Sequence, residues 1–130
     1  MDKLTTRKIG DIGESYAVDY LESKGYVTIK RNYKKRCGEI DIISKYENYI
    51  VFTEVKTRKV NSMTKPCEAV TKVKAQRIFQ TAYMYMDENP TGLQPRFDVI
   101  EVILDTNKME LKSINHMENV LYQEGDYAVF

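Results

Sequence analysis

Four side chains, Glu39, Asp41, Glu54 and Lys56, stand within the stretch CGEIDIISKYENYIVFTEVKTR that runs from Cys37 to Arg58. Carboxylate oxygens are hard ligands. They suit Mg²⁺ or Mn²⁺, which take one or two carboxylates and otherwise keep water or a phosphate oxygen. A lysine beside such a pair can hold a scissile phosphate or orient an attacking water, so the chemistry indicated is metal-assisted phosphodiester hydrolysis. A lone Glu-x-Lys on a strand is ordinarily a solvated charged face. Here the acids and the lysine ride on segments that are otherwise strongly apolar.

Ile40-Asp-Ile-Ile43 and the run from Tyr49 to Lys56 are rich in β-branched and aromatic residues, which predicts two strands. Lys45-Tyr-Glu-Asn48 is a polar break suited to a hairpin, without the Asn-Gly or Asp-Gly pair that most favours one. With Glu47 and Asn48 at the centre of the turn, Asp41 falls opposite Glu54 and Glu39 opposite Lys56. Period-two alternation puts Glu39 and Asp41 on one face, and Glu54 and Lys56 likewise. Directly opposed residues have β-carbons roughly 4.5–5.5 Å apart. Two carboxylates that close persist only with a cation between them, with one protonated, or in solvent. Glu39 is either a second acid or the partner of Lys56, in which case it would hold the lysine protonated.

Asp41, twelve intervening residues, then Glu54-Val55-Lys56 resembles the core of the PD-(D/E)xK, or restriction-endonuclease-like, superfamily. The ordered set Gly10-x-x-Gly13-Glu14, Asn32, Gly38-Glu-Ile-Asp41, Val51 to Arg58 and Arg96-Phe-Asp98 resembles the YraN-like (UPF0102) bacterial proteins, which are regarded as distant relatives of archaeal Holliday-junction resolvases. The resemblance covers about residues 7 to 105, and a Glu stands where the superfamily name has Pro. It implies a deoxyribonuclease acting on branched or double-stranded DNA. Mg²⁺ or Mn²⁺ would be held by Asp41, Glu54 and the backbone carbonyl of Val55, with Glu14 in the outer shell. Lys56 would position or deprotonate the attacking water.

The whole chain is compatible with that. At 130 residues, 30% charged and 42% hydrophobic, it suits one domain, with a core over about 7–115 and a tail over 116–130. No apolar run approaches the ~20 residues needed to span a bilayer, and the N-terminus lacks the apolar core of a signal peptide. A cytoplasmic protein is expected, and two cysteines without C-x-x-C spacing fit a reducing compartment. Residues 1–86 hold 17 basic and 10 acidic side chains, net +7, and residues 87–130 hold 3 and 9, net −6. Basic side chains adjoin the acidic stretch, so Arg31, Lys34, Lys35, Arg36, Thr57, Arg58 and Lys72 are candidates for nucleic-acid contact.

The elements predicted to position these groups are a helix over 6–24, a short strand over 26–29, the hairpin, a helix over 66–87 with Pro66 in its first turn, and strands over 97–104 and 109–114. Asn32 suits turn chemistry, and 59–65 reads as a loop. The order α-β-β-β-α-β-β predicts an α/β fold, a mixed central sheet flanked by helices. Gly10 and Gly13 suggest close approach of another backbone to the first helix. Gly13, Gly38, Arg96 and Asp98 are expected to support the sheet. His116, the single histidine, suits a surface or core role better than catalysis. The tyrosines and the apolar tail through Tyr122, Tyr127 and Phe130 suit packing, against a second subunit in a homodimer for instance. Two other function classes stay open: a non-catalytic nucleic-acid-binding module, and a structural or protein-interaction role.

Overall fold

A computed structural model describes residues 5–60 and 71–120. Seven elements follow one another: α1 (Thr6–Ser23), β1 (Val27–Lys35), β2 (Gly38–Tyr46), β3 (Tyr49–Lys59), α2 (Lys72–Glu88), β4 (Gln94–Asp105) and β5 (Glu110–Met117). They build one five-stranded sheet in the order β1-β2-β3-β4-β5. The pairings β1/β2, β2/β3 and β4/β5 are antiparallel, whereas β3/β4 is parallel. The architecture is the expected α/β one with a mixed sheet. Among the described residues no helix is long and apolar enough to cross a membrane.

Both helices are set by their caps and apolar stripes. The Thr5 side chain accepts from the Lys8 backbone N–H, and Gly25 ends the first helical segment at φ +95°, a conformation glycine adopts without strain. Thr71 is in extended backbone and caps α2, accepting from Lys74 N at 3.1 Å. That cap corrects the expected start at residue 66: the helix begins at Lys72, and Pro66 lies outside the described residues. α1 buries Ile9, Ala17, Val18 and Leu21 against Ile42, Val51, Ile100 and Val102 on one face of the sheet. α2 buries Ala75, Ile78, Phe79, Ala82 and Tyr85 against Tyr33, Ile40, Ile43, Phe52 and Phe97 on the other.

Three strands differ from expectation in ways that matter. The basic run 30–36 is not a loop: Lys30 to Lys35 continue β1, an edge strand. β3 runs on to Lys59, three residues past Lys56. Residues 116–120, expected in the tail, belong to the body of the domain. His116 and Met117 are in β5, and the Asn119 and Val120 N–H groups donate to Asp98 and to the Phe97 carbonyl. The remaining tail, 121–130, lies outside the described residues.

Glycine is required where α1 meets β3. A Cβ placed on Gly13 would lie 1.9 Å from Thr57 Oγ1. The close approach is thus to a side chain, and Gly10 has no such neighbour. Gly38 is similarly confined, with a Cβ there only 2.9 Å from Thr81 Oγ1 of α2. Gly13→Ala gains helix propensity of up to about 1 kcal/mol but drives α1 off β3. A net loss of about 1–3 kcal/mol is expected. Denaturant unfolding checks this, and Gly13→Ala combined with Thr57→Ala, which removes both the hydroxyl and the methyl group that a Cβ would meet, is expected to recover part of it.

Candidate active site

The hairpin register is as the sequence predicts: Tyr46 pairs with Tyr49, Ser44 with Val51 and Ile42 with Thr53. There the β2/β3 ladder stops, one pair short of Asp41 and Glu54. The strand alternation also breaks at this point. Ile40 packs on the α2 side while Ile42 packs on the α1 side, although two residues apart should share a face. β1 breaks in step. Arg31, opposite Ile42, hydrogen-bonds Ser15 of α1, whereas Tyr33, opposite Ile40, joins the α2-side core. Asn32 lies between them at φ +51°, a left-handed conformation that asparagine tolerates better than most residues. The same-face placement of Glu39 with Asp41 therefore loses its basis.

The opening is filled by the Asp41 carboxylate, whose Oδ2 accepts the Val55 N–H at 2.8 Å, in the place of a strand partner. A residue in a strand turns its N–H and C=O to the same side, so the Val55 carbonyl also faces the gap. β3 keeps its alternation: Val55 and Thr57 face α1, and Phe52 and Glu54 face α2. Glu54 is 8% exposed. Its Oε1 lies 2.6 Å from Lys74 Nζ, in the first turn of α2.

Asp41 and Glu54 line two clefts at once. One, about 570 Å³, is walled by Ile9, Gly10 and Glu14 of α1 and by Thr57, Arg58 and Lys59 beyond Val55. The other, about 340 Å³, is walled by Gly38 and Glu39 of β2 and by Thr71, Lys74 and Arg77 at the start of α2. The carboxylate pair is the partition between them.

Burial, then the neighbouring Glu54 charge, pushes the Asp41 carboxyl up to about 8. The Val55 N–H opposes that rise, and a hydrogen bond to Glu54 and the charge of Glu14 add to it. Asp41 therefore keeps its proton into the neutral range. Burial also raises Glu14, offset in part by the Arg31 charge and a hydrogen bond from Asn32. One Glu14 oxygen is buried with no hydrogen-bond partner. Burial works against the Lys74 charge, but Glu54, Asp41 and Glu39 outweigh it and hold the ammonium above its usual range.

The structure brings Asp41, Glu54, Val55, Glu14, Thr57 and Arg58 to the larger cleft. Lys56 follows Glu54 by two positions on the same strand and is half-buried. Glu39 pairs with Lys34 at 3.9 Å, and Arg58 with Glu101 at 3.5 Å. Lys35 is drawn away, paired at 3.0 Å with Glu88 at the far end of α2. Arg36 is exposed in the β1/β2 turn, and Lys72 is exposed at the start of α2. Two residues at the site carried no decisive sequence signal: Lys74, which looks like any solubilising helix lysine, and Asn32, whose contact with Glu14 needs the strand kink.

A second acidic group has different chemistry. Ligand atoms of Asp98, His116 and Glu118 lie within 4.8 Å of one another, a spacing that could suit a metal ion. Its place is taken by Arg96. The guanidinium donates to both Asp98 oxygens at 3.0 and 2.8 Å and to Tyr26 Oη at 2.5 Å, and lies 3.4 Å from Glu118. His116 Nε2 and Asn119 N complete Asp98, at 2.7 and 2.9 Å. Burial alone would raise Asp98, but these partners outweigh it and lower it. With its cation built in, the group braces β4 to β5 and to Tyr26, just ahead of β1. The histidine belongs to that brace.

The fold and the site define an α/β domain with an acidic cleft at a sheet break. A model of the uncharacterised protein family UPF0102 matches residues 13–102, and the chain belongs to that family. It is 43% identical over 120 residues to a UPF0102 protein of Caldanaerobacter subterraneus subsp. tengcongensis, covering 92% of this chain and 98% of that one. It is also 46% identical over 102 residues to a UPF0102 protein of Clostridium botulinum strain Hall, covering 77% and 83%.

The raised Asp41 carboxyl has a pH signature. Asp41 rises from 3.8 to about 8 on folding, so between those values the folded state binds more protons than the unfolded one. Stability then falls as pH rises from about 4 to about 8. Asp41→Asn keeps an acceptor for Val55 N and offers Glu54 a donor, as the protonated acid does. It is expected to be more stable than the parent by on the order of 1 kcal/mol at pH 8 and nearly equal at pH 4.5. Urea unfolding at the two pH values measures the difference, and equal stability at both would rule out the raised Asp41 carboxyl.

Proposed function

We propose that this protein is a divalent-metal-dependent deoxyribonuclease of the PD-(D/E)xK kind, related to archaeal Holliday-junction resolvases and acting on branched DNA in the cytoplasm. The observation that carries the reading is the Asp41–Glu54 pair. Two carboxylates are held together at the meeting of two clefts, Asp41 raised by burial and by the Glu54 charge, and Glu54 set against the Lys74 ammonium. The donor set fits Mg²⁺ or Mn²⁺: two carboxylates, the Val55 carbonyl facing the same gap, and the unpartnered oxygen of Glu14 across the cleft. Asp41, Glu54 and Val55 would hold the ion, with Glu14 reaching it through water. A bound ion would supply Lewis-acid stabilisation of the charge developing on the phosphoryl oxygens.

The other roles belong to this chain's own side chains. Lys56, beside Glu54 on β3, orients the water or holds the scissile phosphate. Thr57, Arg58 and Lys59 at the cleft mouth bind phosphate oxygens, and Arg31 and Lys34 on the β1 edge extend the basic rim. A homodimer would present two such sites to the two strands of a junction. The alternative is a module that binds nucleic acid electrostatically and does not cut it.

Incubating branched, flapped and linear DNA with the protein and Mn²⁺, Mg²⁺ or EDTA separates these. Nicking that needs metal, and that falls about 10²-fold or more in Asp41→Ala and in Lys56→Ala, is the expected result. Binding that survives EDTA, weakens with salt and never leads to cleavage would leave the binding module instead.

A further inference from the structure

The structure places the Lys74 ammonium directly on the acidic pair, a role that the Asp41, Glu54 and Lys56 pattern does not give it. Its Nζ lies 2.6 Å from Glu54 Oε1, and its charge is felt by Asp41 and Glu39 as well. The position is unfavourable on other grounds. Lys72 and Lys74 both stand in the first turn of α2, with no acidic residue there, at the helix end where the backbone dipole disfavours positive charge. Glu54 is nearly buried while the Lys74 side chain is 49% exposed. The ammonium can therefore leave into the α2-side cleft, past Thr71 and Arg77, without any part of the core opening.

We propose that Lys74 is a positioning residue that stands in for the divalent ion: its ammonium holds Glu54 in place beside Asp41 until a metal takes the carboxylate, and its displacement sets the metal affinity of the site. The inference rests on the metal-centre reading above and adds a competitor to it. Glu54 cannot satisfy the ammonium and the ion fully through the same oxygen. An α2 lysine that leaves Glu54 is set free at the mouth of the cleft, where phosphate oxygens would arrive.

Titration calorimetry of the full chain with Mn²⁺ tests this without reference to cleavage. Lys74→Met keeps the aliphatic stem and removes the charge. It is expected to bind Mn²⁺ roughly fivefold more tightly than the parent, as loss of a half-exposed ion pair implies. Lys74→Arg should bind close to the parent. Lys112→Met, on the far edge strand β5, removes one charge away from the site and should change nothing. Circular-dichroism melts establish that each variant is folded, and Lys74→Gln carries the same expectation if Lys74→Met is not. Unchanged or weaker Mn²⁺ binding in Lys74→Met, with parent binding still abolished by Asp41→Asn, would overturn the role of Lys74 and leave the metal centre intact. Equal tightening in Lys74→Met and Lys112→Met would also overturn it, since the effect would then be net charge. Absence of any Asp41-dependent Mn²⁺ binding in the parent would instead remove the metal centre itself, and Lys74's role with it.

Discussion

The site depends on one substitution of partners. At Asp41 a strand-to-strand hydrogen bond is replaced by a side-chain one: the Val55 N–H is satisfied by a carboxylate and not by the β2 backbone. An unsatisfied buried N–H would be costly, so the ladder can end here only because Asp41 fills the gap. The break lets β2 leave β3, turns Ile40 and Ile42 to opposite faces, and points the Val55 carbonyl into the opening. A regular hairpin through this point would have kept Asp41 and Glu54 on one face. The kink instead lets the pair communicate with both faces of the sheet.

That geometry explains why the groups around the acidic pair come from so many elements. α1 supplies Glu14 from one face, and α2 supplies Lys74 from the other. Each is held by a tight contact: Gly13 on Thr57 draws α1 against β3, and Gly38 beneath Thr81 and Arg77 draws β2 against α2. Neither glycine brings a side chain of its own to the clefts. Their lack of a side chain sets the distance at which the helices deliver theirs. The Asn32 backbone, in its left-handed conformation, kinks β1 alongside the β2 break and turns its amide toward Glu14.

The two acidic groups of the molecule are a comparison within one chain. Asp98 sits with His116 and Glu118, but Arg96 brings a permanent charge and a planar set of donors, and Tyr26, Tyr46 and Tyr49 pack around it with ring centres 5.2 to 5.9 Å from the guanidinium carbon. Asp98 is accordingly lowered, and the group is closed as a structural brace. Asp41 has a second carboxylate where Asp98 has an arginine, and it is raised to about 8. Identical side chains are shifted in opposite directions because one faces a guanidinium and the other a second carboxylate.

The element order, the mixed α/β class and the hairpin register were legible in the sequence, because apolar periodicity and turn position set which residues face a core. The Asp41, Glu54 and Lys56 spacing likewise placed these groups on adjacent strands. The extension of β1 through a run of lysines was not legible. An edge strand exposes such residues to water, so they carry no apolar alternation. Nor was the start of α2, where a capping threonine outweighed a proline that also suits a first turn. Lys74 and the His116 brace are tertiary outcomes. Each depends on which carboxylate the fold brings within about 3 Å of a charged side chain. Local sequence sets strand and helix by short-range sterics and periodicity, whereas partners such as Lys74 with Glu54 and His116 with Asp98 are decided only when the elements pack together.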